Sequence, residues 1–473
     1  MKKLKSNIIK MNVKRVVISN PTSINQDILN NTDFNIKKVL YKEFQKGYES
    51  DFMCYKEQRL IIYFLNGEAE IILENQTFNI NGNNRIALLL DKKTGFKFKI
   101  ISETATVLFY YENEDTNFDL VTLPKESMNI INNSKSILVC GGAGFIGSNF
   151  INYILNQHEN YNIINYDKLT YAANLDNLKD VQANKNYKFI KGDICDYDLL
   201  DQVIKNHQID YIVNFAAETH VDRSIYGFAK DFVISNVLGV QTLLEVVKNN
   251  KDIKKFIQIS TDEVYGALEL EDNNKFTEDT KFAPNSPYSA TKASADLLCR
   301  AYFKTYNIAV IVTHCSNNYG PYQFPEKLIP FFTLKLLNNE KVPVYGDGLN
   351  IRDWIHVIDH ARAIDLLLDK GENGETYNIG ANNEISNIDL IKMMLKIMGK
   401  DESYIEYVKD RPGHDRKYAI DATKISKLGW TPIYTKENFE QGLKETVEWY
   451  LTNKDWVQDI LDRKSDELNK CVK

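Results

Sequence analysis

A glycine-rich turn between a predicted strand and a predicted helix constrains the fold of this chain more than any other feature. Residues 136–140 form an apolar run typical of a buried strand, glycines follow between 141 and 147, and residues 145–157 have the pattern of a helix. Strand and helix patterns then alternate to about residue 317. Such alternation predicts an α/β region built on a doubly wound parallel sheet.

The other strands of this predicted sheet are short runs of apolar and β-branched residues. We place them at residues 163–166, 187–190, 211–215, 256–259 and 310–313. Ligands of open parallel sheets bind beyond the carboxyl ends of the strands. The polar residues that follow these runs are therefore the first candidates for a functional site.

The spacing of the glycines indicates a site for a dinucleotide. Residues 142–147 fit Gly-x-Gly-x-x-Gly, and Gly141 adds the wider Gly-x-x-Gly-x-x-Gly spacing. In a Rossmann-type turn such glycines allow the backbone to approach a pyrophosphate, which the N–H groups of the following helix then bind. Asp167, 20 residues after Gly147, ends the next predicted strand, where a carboxylate accepts hydrogen bonds from ribose hydroxyls. It would repel a 2′-phosphate, which favours NAD over NADP, although the adjacent Lys168 weakens that preference.

Two further strand ends carry candidate contacts for the dinucleotide. Asp193 follows the third predicted strand and either binds the adenine amino group or forms an ordinary strand-end turn. Ala216 and Ala217 follow the fourth predicted strand and are small enough for a flat cofactor to approach closely. His220, just beyond them, belongs to the site or makes a structural hydrogen bond.

The residues with the chemistry of a reaction centre follow the fifth predicted strand and open the next helix. Thr261, Asp262 and Glu263 place a hydroxyl and two adjacent carboxyl groups after an apolar run. Tyr288 and Lys292 are spaced i, i+4 and therefore lie on one face of a helix. A lysine ammonium and a cationic nicotinamide both favour the tyrosinate form, so Tyr288 is a candidate base for alcohol oxidation.

The two carboxyl groups distinguish between two reactions of a sugar. An epimerase needs only the tyrosine–lysine pair and a hydroxyl group such as that of Thr261. Oxidation of a sugar carbon to a ketone acidifies the neighbouring C–H, so one carboxylate can remove that proton while a second carboxyl group protonates a departing hydroxyl. Asp262 and Glu263 therefore favour dehydration, with the cofactor supplying the redox chemistry.

Composition excludes several other classes of function. The net charge of −6 is spread over interspersed acidic and basic residues, without the basic stripe of a nucleic-acid binder. The six cysteines are scattered, which indicates reduced thiols and argues against a disulfide framework or a zinc finger. We find no apolar run of about 18 residues, so we expect no membrane partner. Together with the reduced thiols, this predicts a cytoplasmic protein. The cysteine spacing predicts no metal site.

The residues before the glycine-rich turn have a different pattern. Short predicted strands run from residue 13 to about 111, and Asn66-Gly67 between two of them predicts a tight hairpin. Regular short strands of this kind indicate a β-sandwich or barrel. Residues 112–135 are polar and contain Pro124, so we place the linker there.

Residues 136 to about 456 resemble the dTDP-glucose 4,6-dehydratases, an extended short-chain dehydrogenase family. The resemblance covers about two thirds of the chain and is carried by the motifs above together with residues 216–224, 315–328, 352–357 and 410–415. It implies oxidation at C4 of dTDP-glucose, loss of water across C5 and C6, and return of the hydride to C6. It also implies that NAD stays tightly bound and is recycled in each turnover.

The resemblance implies a role for each residue of the site. Tyr288 removes the C4 hydroxyl proton, Thr261 hydrogen-bonds the same oxygen, and Lys292 supports the tyrosine. Asp262 protonates the leaving C6 hydroxyl and Glu263 removes the C5 proton. Together with the glycine motif, it implies these contacts to NAD: Gly141, Gly144, Phe145, Ile146, Gly147, Asp167, Lys168, Leu169, Thr170, Asp193, Ile194, Phe215, Ala216, Ala217, Glu218, Thr219, Ser235, Tyr288, Lys292 and Asn318.

The residues implied to hold the nucleotide sugar come mainly from the last third of the chain. They are Thr219, Thr261, Asn317, Lys327, Leu328, Pro343, Val344, Tyr345, Arg352, Asn387, Asp410, Arg411, Pro412, Gly413 and His414. The guanidinium groups of Arg352 and Arg411 suit a diphosphate because they bind bidentately and stay charged. Arg352 could instead form a surface ion pair.

The N-terminal region resembles a cupin-type jelly roll and, weakly, the dTDP-sugar 3,4-ketoisomerases. That family depends on histidines, and the first histidine of this chain is His158. We therefore expect residues 1–133 to be non-catalytic, with a role in oligomerisation or ligand binding. We predict a catalytic region at 134–456, with a Rossmann core at about 134–317 and substrate-binding parts at 318–345 and 385–456, and a helical tail at 457–473.

Several alternatives remain open at this point. The chain could be another nucleotide-sugar 4,6-dehydratase, a 4-epimerase, or a sensor of nucleotide sugars without catalytic activity. By analogy with the family, helices near residues 231–249 and 288–306 would form a four-helix interface, so a homodimer or a higher homo-oligomer is expected.

Overall fold

The computed structural model describes residues 135–410 and 413–471 and, before them, nine strands between residues 13 and 111. From residue 463 onward only the backbone is described. The chain divides into two compact units, Met1–Ser134 and Lys135–Lys473, and each is described by itself.

The described strands of the first unit form two antiparallel sheets. They are β1 Val13–Val17, β2 Lys38–Gln45, β3 Met53–Cys54, β4 Leu60–Asn66, β5 Glu68–Leu73, β6 Gln76–Asn81, β7 Ile86–Leu90, β8 Gly95–Ile100 and β9 Thr104–Tyr111. Their order is β1-β7-β4-β9-β2 in one sheet and β3-β8-β5-β6 in the other. The all-β character matches the sequence pattern, and the cupin-type jelly roll stays a prediction.

The hairpin predicted at Asn66-Gly67 is wrong. β4 pairs with β7 and β9, whereas β5 pairs with β6 and β8, so among the described strands these two neighbours in sequence belong to different sheets. An Asn-Gly pair favours a tight local turn, but pairing between strands is decided by long-range contacts that a dipeptide does not encode.

A seven-stranded parallel sheet forms the centre of the second unit. Its order is β12-β11-β10-β13-β14-β15-β19. The strands are β10 Ser136–Cys140, β11 Asn162–Asp167, β12 Tyr187–Lys191, β13 Tyr211–Asn214, β14 Lys255–Thr261, β15 Val310–Cys315 and β19 Thr376–Ile379. All six neighbouring pairs are parallel, which confirms the predicted doubly wound sheet.

The sheet extends beyond the core predicted at residues 134–317. Its seventh strand, β19, has only four residues and gives no distinct pattern in the sequence. It is recruited because it pairs with β15, with Val312 opposite Thr376 and Cys315 opposite Ile379.

Helices cover the sheet, and smaller strand pairs follow it. The helices are α1 Phe145–Gln157, α2 Tyr197–His207, α3 Val221–Tyr226, α4 Ala229–Phe232, α5 Gly239–Asn249, α6 Pro287–Tyr306, α7 Leu328–Leu337, α8 Val357–Lys370, α9 Asn387–Ile397, α10 Thr423–Ser426, α11 Phe439–Thr452 and α12 Lys454–Cys471. Short 3₁₀ turns lie at Leu175–Leu178, Asp262–Tyr265 and Glu402–Tyr404, and a π-helical stretch at Val233–Leu238 joins α4 to α5. The remaining strands are β16 Asn317–Tyr319, β17 Val342–Tyr345, β18 Ile351–His356, β20 Glu384–Ser386 and β21 Ile405–Val408.

Two apolar clusters hold this unit together, one on each face of the sheet. One includes Phe150, Ile154 and Ile364, so α1 and α8 pack on the same face. The other includes Leu243 of α5 and Cys299 of α6. The strands are buried on both faces, which is why they read as continuous apolar runs in the sequence. In the part of the chain that the structure describes, no helix is long and apolar enough to cross a membrane.

Candidate active site

The glycine-rich turn lies between β10 and α1 and leaves space where side chains would normally stand. Gly141 has a φ of 76°, and a Cβ atom there would lie 2.5 Å from the backbone nitrogen of Ala216. A Cβ atom on Gly147 would lie 2.3 Å from the carbonyl oxygen of Gly141. These positions therefore require glycine, and the turn leaves its backbone open to a ligand.

The N-terminus of α1 is suited to an anion. Gly144 caps the helix without a side-chain hydrogen bond, and the first turn contains no acidic residue. The N–H groups and the positive end of the helix dipole are therefore not neutralised by the helix's own side chains. This arrangement fits the pyrophosphate of a dinucleotide.

Asp167, at the end of β11, is fastened to the glycine-rich turn. Its carboxylate accepts hydrogen bonds from the backbone N–H of Ala143 at 2.9 Å and of Leu169 at 2.7 Å. Burial raises the pKa of Asp167, and these two N–H groups oppose that rise. The carboxylate is thus held beside the turn, where a ribose would lie.

One cavity of about 860 Å³ collects most of the predicted site residues. All five predicted catalytic residues line it: Thr261, Asp262, Glu263, Tyr288 and Lys292. Of the residues expected at NAD or at the nucleotide sugar, it is lined by Gly141, Gly144, Phe145, Ile146, Gly147, Phe215, Ala217, Thr219, Asn317, Asn318, Lys327, Leu328, Pro343, Val344, Tyr345, Arg352, Asn387 and His414. The fold therefore brings segments from the whole length of the second unit to one chamber.

The other predicted NAD residues lie outside this chamber, mostly towards the ends of β11 and β12. Lys168 and Asp193 form an ion pair at 2.6 Å, and Asp193 also accepts the backbone N–H of Cys195 at 3.0 Å. Burial works to raise the pKa of Asp193, but the pairing with Lys168 and the N–H of Cys195 together lower it. Asp193 thus forms a strand-end turn, one of the two alternatives, and Lys168 is turned towards it.

The remaining residues of that set have structural neighbours. Glu218 forms an ion pair with Arg223 at 3.2 Å, and Ile194 belongs to the apolar core. Ser235 lies in the π-helical stretch, and Thr170 is exposed in the loop after β11. Ala216 lies against the backbone of Gly141, and the backbone N–H of Leu169 donates to Asp167.

Two of the predicted substrate residues, Arg411 and Pro412, lie outside the described residues. Next to them, Asp410 binds the imidazole Nδ1 of His414 at 2.6 Å, and Gly413 has a φ of 64°. His220 lines the cavity, but its Nδ1 accepts the backbone N–H of Arg223 at 3.1 Å and so caps α3. That contact supports a structural hydrogen bond for His220.

Tyr288 and Lys292 stand on the first two turns of α6, facing the carboxyl end of β14. A capping box formed by Ser286 and Ser289 begins the helix, with Pro287 in its first turn, so its N-terminus is well defined. The Lys292 ammonium donates to the carbonyl oxygen of Ile259 at 2.6 Å, and Tyr288 and Thr261 line the same cavity. The hydroxyl of Thr261 is near enough to Tyr288 to lower the pKa of its phenol. The predicted base and its hydroxyl partner are therefore neighbours.

The electrostatics around Tyr288 favour the neutral phenol in the protein alone. Burial raises the pKa of Tyr288 well above its ordinary value, Glu263 and Cys315 add to the rise, and the hydrogen bond with Thr261 opposes it. Burial lowers the pKa of Lys292, and the carboxylate of Asp296 opposes that change. A nearby positive charge would be needed to favour the tyrosinate.

Asp262 and Glu263 lie on the 3₁₀ turn that follows β14. Asp262 is 2% exposed, and its Oδ2 has no hydrogen-bond partner among the described residues. Burial raises the pKa of Asp262 well above its ordinary value, Glu263 and Asp353 act in the same direction, and Arg352 opposes them. Its surroundings therefore favour the protonated carboxylic acid, and Oδ2 has no hydrogen-bond partner among the described residues.

Arg352 lies at another wall of the same chamber and is 6% exposed, so it is not part of a surface ion pair. Its guanidinium donates to the carbonyl oxygens of Ile351 at 2.8 Å and Asp415 at 2.9 Å, and it stacks on the ring of Tyr418 at 4.3 Å. These contacts orient the group without neutralising its charge, as expected for a residue that binds an anion.

Sequence reasoning missed several residues of the chamber. Cys315, Ser316, Gln323, Trp354 and Tyr418 all line it. Cys315 and Ser316 follow β15, so the rule that ligands bind beyond strand ends could have found them. Tyr418 is far from the motifs in sequence, and no local signal indicates it.

The chain matches known proteins over this same unit. Residues 138–446 match the family model described as GDP-mannose 4,6 dehydratase. A dTDP-glucose 4,6-dehydratase of Xanthomonas campestris pv. campestris (strain B100) is 50% identical over 343 residues, covering 69% of this chain and 95% of the relative. One of Shigella flexneri is 50% identical over 347 residues, covering 68% and 95%.

Solved structures show the same likeness. The dTDP-glucose 4,6-dehydratase from Bacillus anthracis, solved in complex with NAD, is 52% identical with a TM-score of 0.64 and covers 69% of this chain and 100% of its own. The UDP-glucose 4-epimerase from Thermotoga maritima, solved with UDP-glucose, is 32% identical with a TM-score of 0.61 and covers 67% and 98%. The fold, the chamber and these identities agree, and the chain belongs to the dTDP-glucose 4,6-dehydratase family.

Proposed function

We propose that this protein is a hydro-lyase that converts dTDP-glucose to dTDP-4-keto-6-deoxyglucose with NAD that stays bound and is recycled in each turnover. The observation that carries the proposal is the buried carboxyl group of Asp262 beside Glu263, in the chamber that Tyr288 and Thr261 also line. A 4-epimerase has no use for an acid and a base next to the oxidised carbon, whereas a dehydratase requires both.

The tyrosine–threonine pair suits the first half of the reaction. Tyr288 would take the proton of the C4 hydroxyl, with Thr261 donating a hydrogen bond to the same oxygen. The chemistry that NAD supplies when bound is hydride acceptance from C4 and hydride return to C6. Three features fit that cofactor: the glycine-rich turn, the start of α1, which has no side-chain cap, and the buried Asp167.

The carboxyl groups suit the elimination. Glu263 would remove the C5 proton, which the C4 ketone makes acidic. Asp262 would give its proton to the C6 hydroxyl, which leaves as water, so that C5 and C6 become joined by a double bond. The raised pKa of Asp262 favours the form that has a proton to give, and Oδ2 has no hydrogen-bond partner among the described residues, which supports the role of acid.

Other residues of the chamber suit the nucleoside diphosphate. Arg352 and Lys327 line the chamber and bring positive charge. Pro343, Val344 and Tyr345 of β17 form an apolar wall, on which a flat nucleobase would rest. We assign dTDP-glucose as substrate from the family, and the named residues give that ligand a charged and an apolar contact.

The experiment that tests this proposal is incubation of the pure protein with dTDP-glucose, followed by mass and NMR analysis. We expect loss of one water, a C4 ketone and a C6 methyl group, without added NAD. Formation of the C4 epimer at unchanged mass would establish the epimerase instead, and no conversion together with tight binding would support a sensor. Glu263→Gln should abolish turnover while retaining NAD, whereas a sensor would be little affected.

We also propose a homodimer through α4–α5 and α6, in a cytoplasmic protein with free thiols. Large apolar side chains are exposed on these elements: Val233 is 50% and Leu238 49% exposed on the π-helical stretch between α4 and α5, and Leu297 is 56% exposed on α6. Exposed apolar side chains of this size favour a protein interface. Leu297→Glu should shift the mass in light scattering to that of a monomer, and an unchanged mass would reject this surface.

For residues 1–133 we propose a non-catalytic role, in binding or assembly. The expected product of the full chain is therefore the 4-keto sugar alone. Accumulation of a 3-keto isomer in the same NMR assay would show that this unit is a working ketoisomerase.

A further inference from the structure

A buried polar chain behind the chamber connects the acid–base turn to the tyrosine–lysine helix. Tyr265 ends the 3₁₀ turn that carries Asp262 and Glu263, and its hydroxyl lies 2.6 Å from Nδ1 of His314 on β15. Nε2 of His314 lies 3.1 Å from Oδ2 of Asp296, which belongs to α6. The path thus runs from one half of the site to the other.

The chain is almost completely shielded from water. His314 is 1% exposed, Asp296 4% and Tyr265 3%. Buried polar groups persist where their hydrogen bonds fix a geometry, because each unsatisfied group costs about 1–3 kcal/mol. None of the three residues lines the cavity, so a role in direct contact with substrate is excluded.

The hydrogen bonds determine where the protons lie. The amide nitrogen of Asn378 donates to the carbonyl oxygen of Phe276 at 3.0 Å, so its Oδ1 faces the Tyr265 hydroxyl and accepts from it at 2.9 Å. A hydroxyl has one hydrogen, so the Tyr265 oxygen must accept from Nδ1 of His314. A proton must also lie between Nε2 and the carboxyl oxygen that it faces at 3.1 Å, and an ionised Asp296 places that proton on Nε2.

Asp296 is also fixed on its other side. The hydroxyl of Ser260 donates to Asp296 Oδ2 at 2.7 Å, and Lys292, one helical turn earlier, donates to the carbonyl oxygen of the residue before Ser260. Asp296 Oδ1 has no hydrogen-bond partner among the described residues. Two adjacent residues of β14 therefore anchor α6 directly upstream of Thr261.

We propose that Asp296, His314 and Tyr265 are positioning residues. Asp296 and His314 form a buried imidazolium–carboxylate pair, to which Tyr265 is hydrogen-bonded. The pair fixes the position of the Asp262–Glu263 turn relative to Tyr288 and Lys292, and it keeps Lys292 charged. Its catalytic consequence rests on the proposed dehydratase function. Its protonation state does not.

The groups that face this pair come from every element packed around it. Lys292 and Cys299 lie on α6, Ser260 on β14, and Cys315 on β15. Asn378 comes from β19, and its backbone N–H donates to Glu278 at 2.9 Å. Asp296 opposes the effect of burial on the pKa of Lys292, so removal of its charge should make Lys292 lose its proton at lower pH.

The protonation state is tested on the full chain by NMR after selective ¹⁵N labelling of histidine. His314→Gln identifies the resonances among those of the seven histidines. We expect both ring nitrogens of His314 to carry protons at pH 7, as their hydrogen-bond partners require, whereas burial lowers the pKa values of His220 and His356 to about 4 and leaves them neutral. A neutral imidazole for His314 at pH 7 would overturn the pair whatever the enzyme does.

The positioning role is tested by pH profiles of turnover with dTDP-glucose. Asp296→Asn keeps the shape of the side chain and removes its charge, so the alkaline limb of kcat should move to lower pH by half a unit or more. Ser260→Ala removes one hydrogen bond to Asp296 and keeps the charge, so the limb should stay in place. If Asp296→Asn lowers kcat or Tm but leaves the alkaline limb of the pH profile in place, these residues contribute only to packing and the proposal is refuted.

Tyr265→Phe tests the mechanical part separately. It leaves His314 Nδ1 without an acceptor next to the acid–base turn, so solvent deuterium exchange into C5 of the sugar should slow more than C4 oxidation does. Equal slowing of C5 exchange and C4 oxidation would contradict a role of Tyr265 in positioning the acid–base turn. If the wild-type protein converts no dTDP-glucose, the proposed function is wrong. The NMR measurement on His314 then still decides whether the imidazolium–carboxylate pair exists.

Discussion

Replacement of Asp262 by asparagine removes the acid of the proposed elimination with almost no change of shape or charge. The carboxyl group is 2% exposed, and burial together with the neighbouring carboxyl groups raises its pKa well above the ordinary value. The amide of asparagine therefore resembles the protonated form that these surroundings favour. The variant loses the ability to deliver a proton to the C6 hydroxyl.

The size of the effect follows from these contacts. General acid catalysis contributes about 10²–10⁴-fold, so kcat should fall by that factor, or about 3–5 kcal/mol in the barrier. The new amide N–H₂ would occupy the place of Oδ2, which has no partner among the described residues, and an unsatisfied buried donor costs about 1–3 kcal/mol of stability. The barrier should thus change more than the free energy of unfolding.

The assay separates the two halves of the reaction. Oxidation at C4 depends on Tyr288 and Thr261, which Asp262→Asn leaves in place, so absorbance at about 340 nm should rise on mixing with dTDP-glucose while water loss is slow. Glu263→Gln is the matched control for the other carboxyl group and should block C5 exchange. A kcat within threefold of wild type in Asp262→Asn would refute the assignment of Asp262 as the acid.

Three further predictions address the cofactor turn, the C-terminal helix and the pH dependence of stability. Gly147→Ala places a methyl group 2.3 Å from a carbonyl oxygen of the turn, so NAD affinity in calorimetry should fall more than tenfold; unchanged affinity would contradict the close approach. Trp456 donates to Asn177 at 2.8 Å, and Asn177 donates to the carbonyl oxygen of Ala143, so Trp456→Phe should weaken NAD binding about fivefold, the equivalent of one hydrogen bond, while an exposed change on the same helix should not. Burial raises the pKa of Asp353 to about 6 in the folded protein, above its unfolded value, so its contribution to stability is full below the unfolded value and is lost as pH rises through about 6. The loss is on the order of 3 kcal/mol, and it should be absent in urea unfolding of Asp353→Asn; an identical pH dependence in both proteins would reject it.

The regular part of the second unit follows from local sequence patterns. The predicted strand at 136–140 and helix at 145–157 coincide with β10 and α1, and the other predicted strands agree with the structure to within two residues at each end. Strands buried on both faces and an amphipathic helix leave periodic signals within a few residues. The same locality explains why the glycines fall in one turn before α1 and why Tyr288 and Lys292 fall on one helix, as their spacing predicts.

Local patterns were not sufficient where pairing is long-range. Asn66-Gly67 predicted a hairpin, and the chain instead passes from one sheet to another. β19 joins the central sheet although its four residues give no signal, and Tyr418 reaches the chamber from far along the chain. Each outcome depends on which surface a segment covers, and that surface is built by residues distant in sequence.

The sequence by itself determined which chemical groups this protein has and on which elements they stand: a dinucleotide turn, a hydroxyl with two carboxyl groups, and a tyrosine–lysine pair. Only the tertiary structure decided their state. Burial, together with Glu263 and Asp353, raises the pKa of Asp262, and His314 lies between Tyr265 and Asp296 because β15 places it there. Protonation depends on burial and on neighbouring charges, and both exist only once the chain has folded.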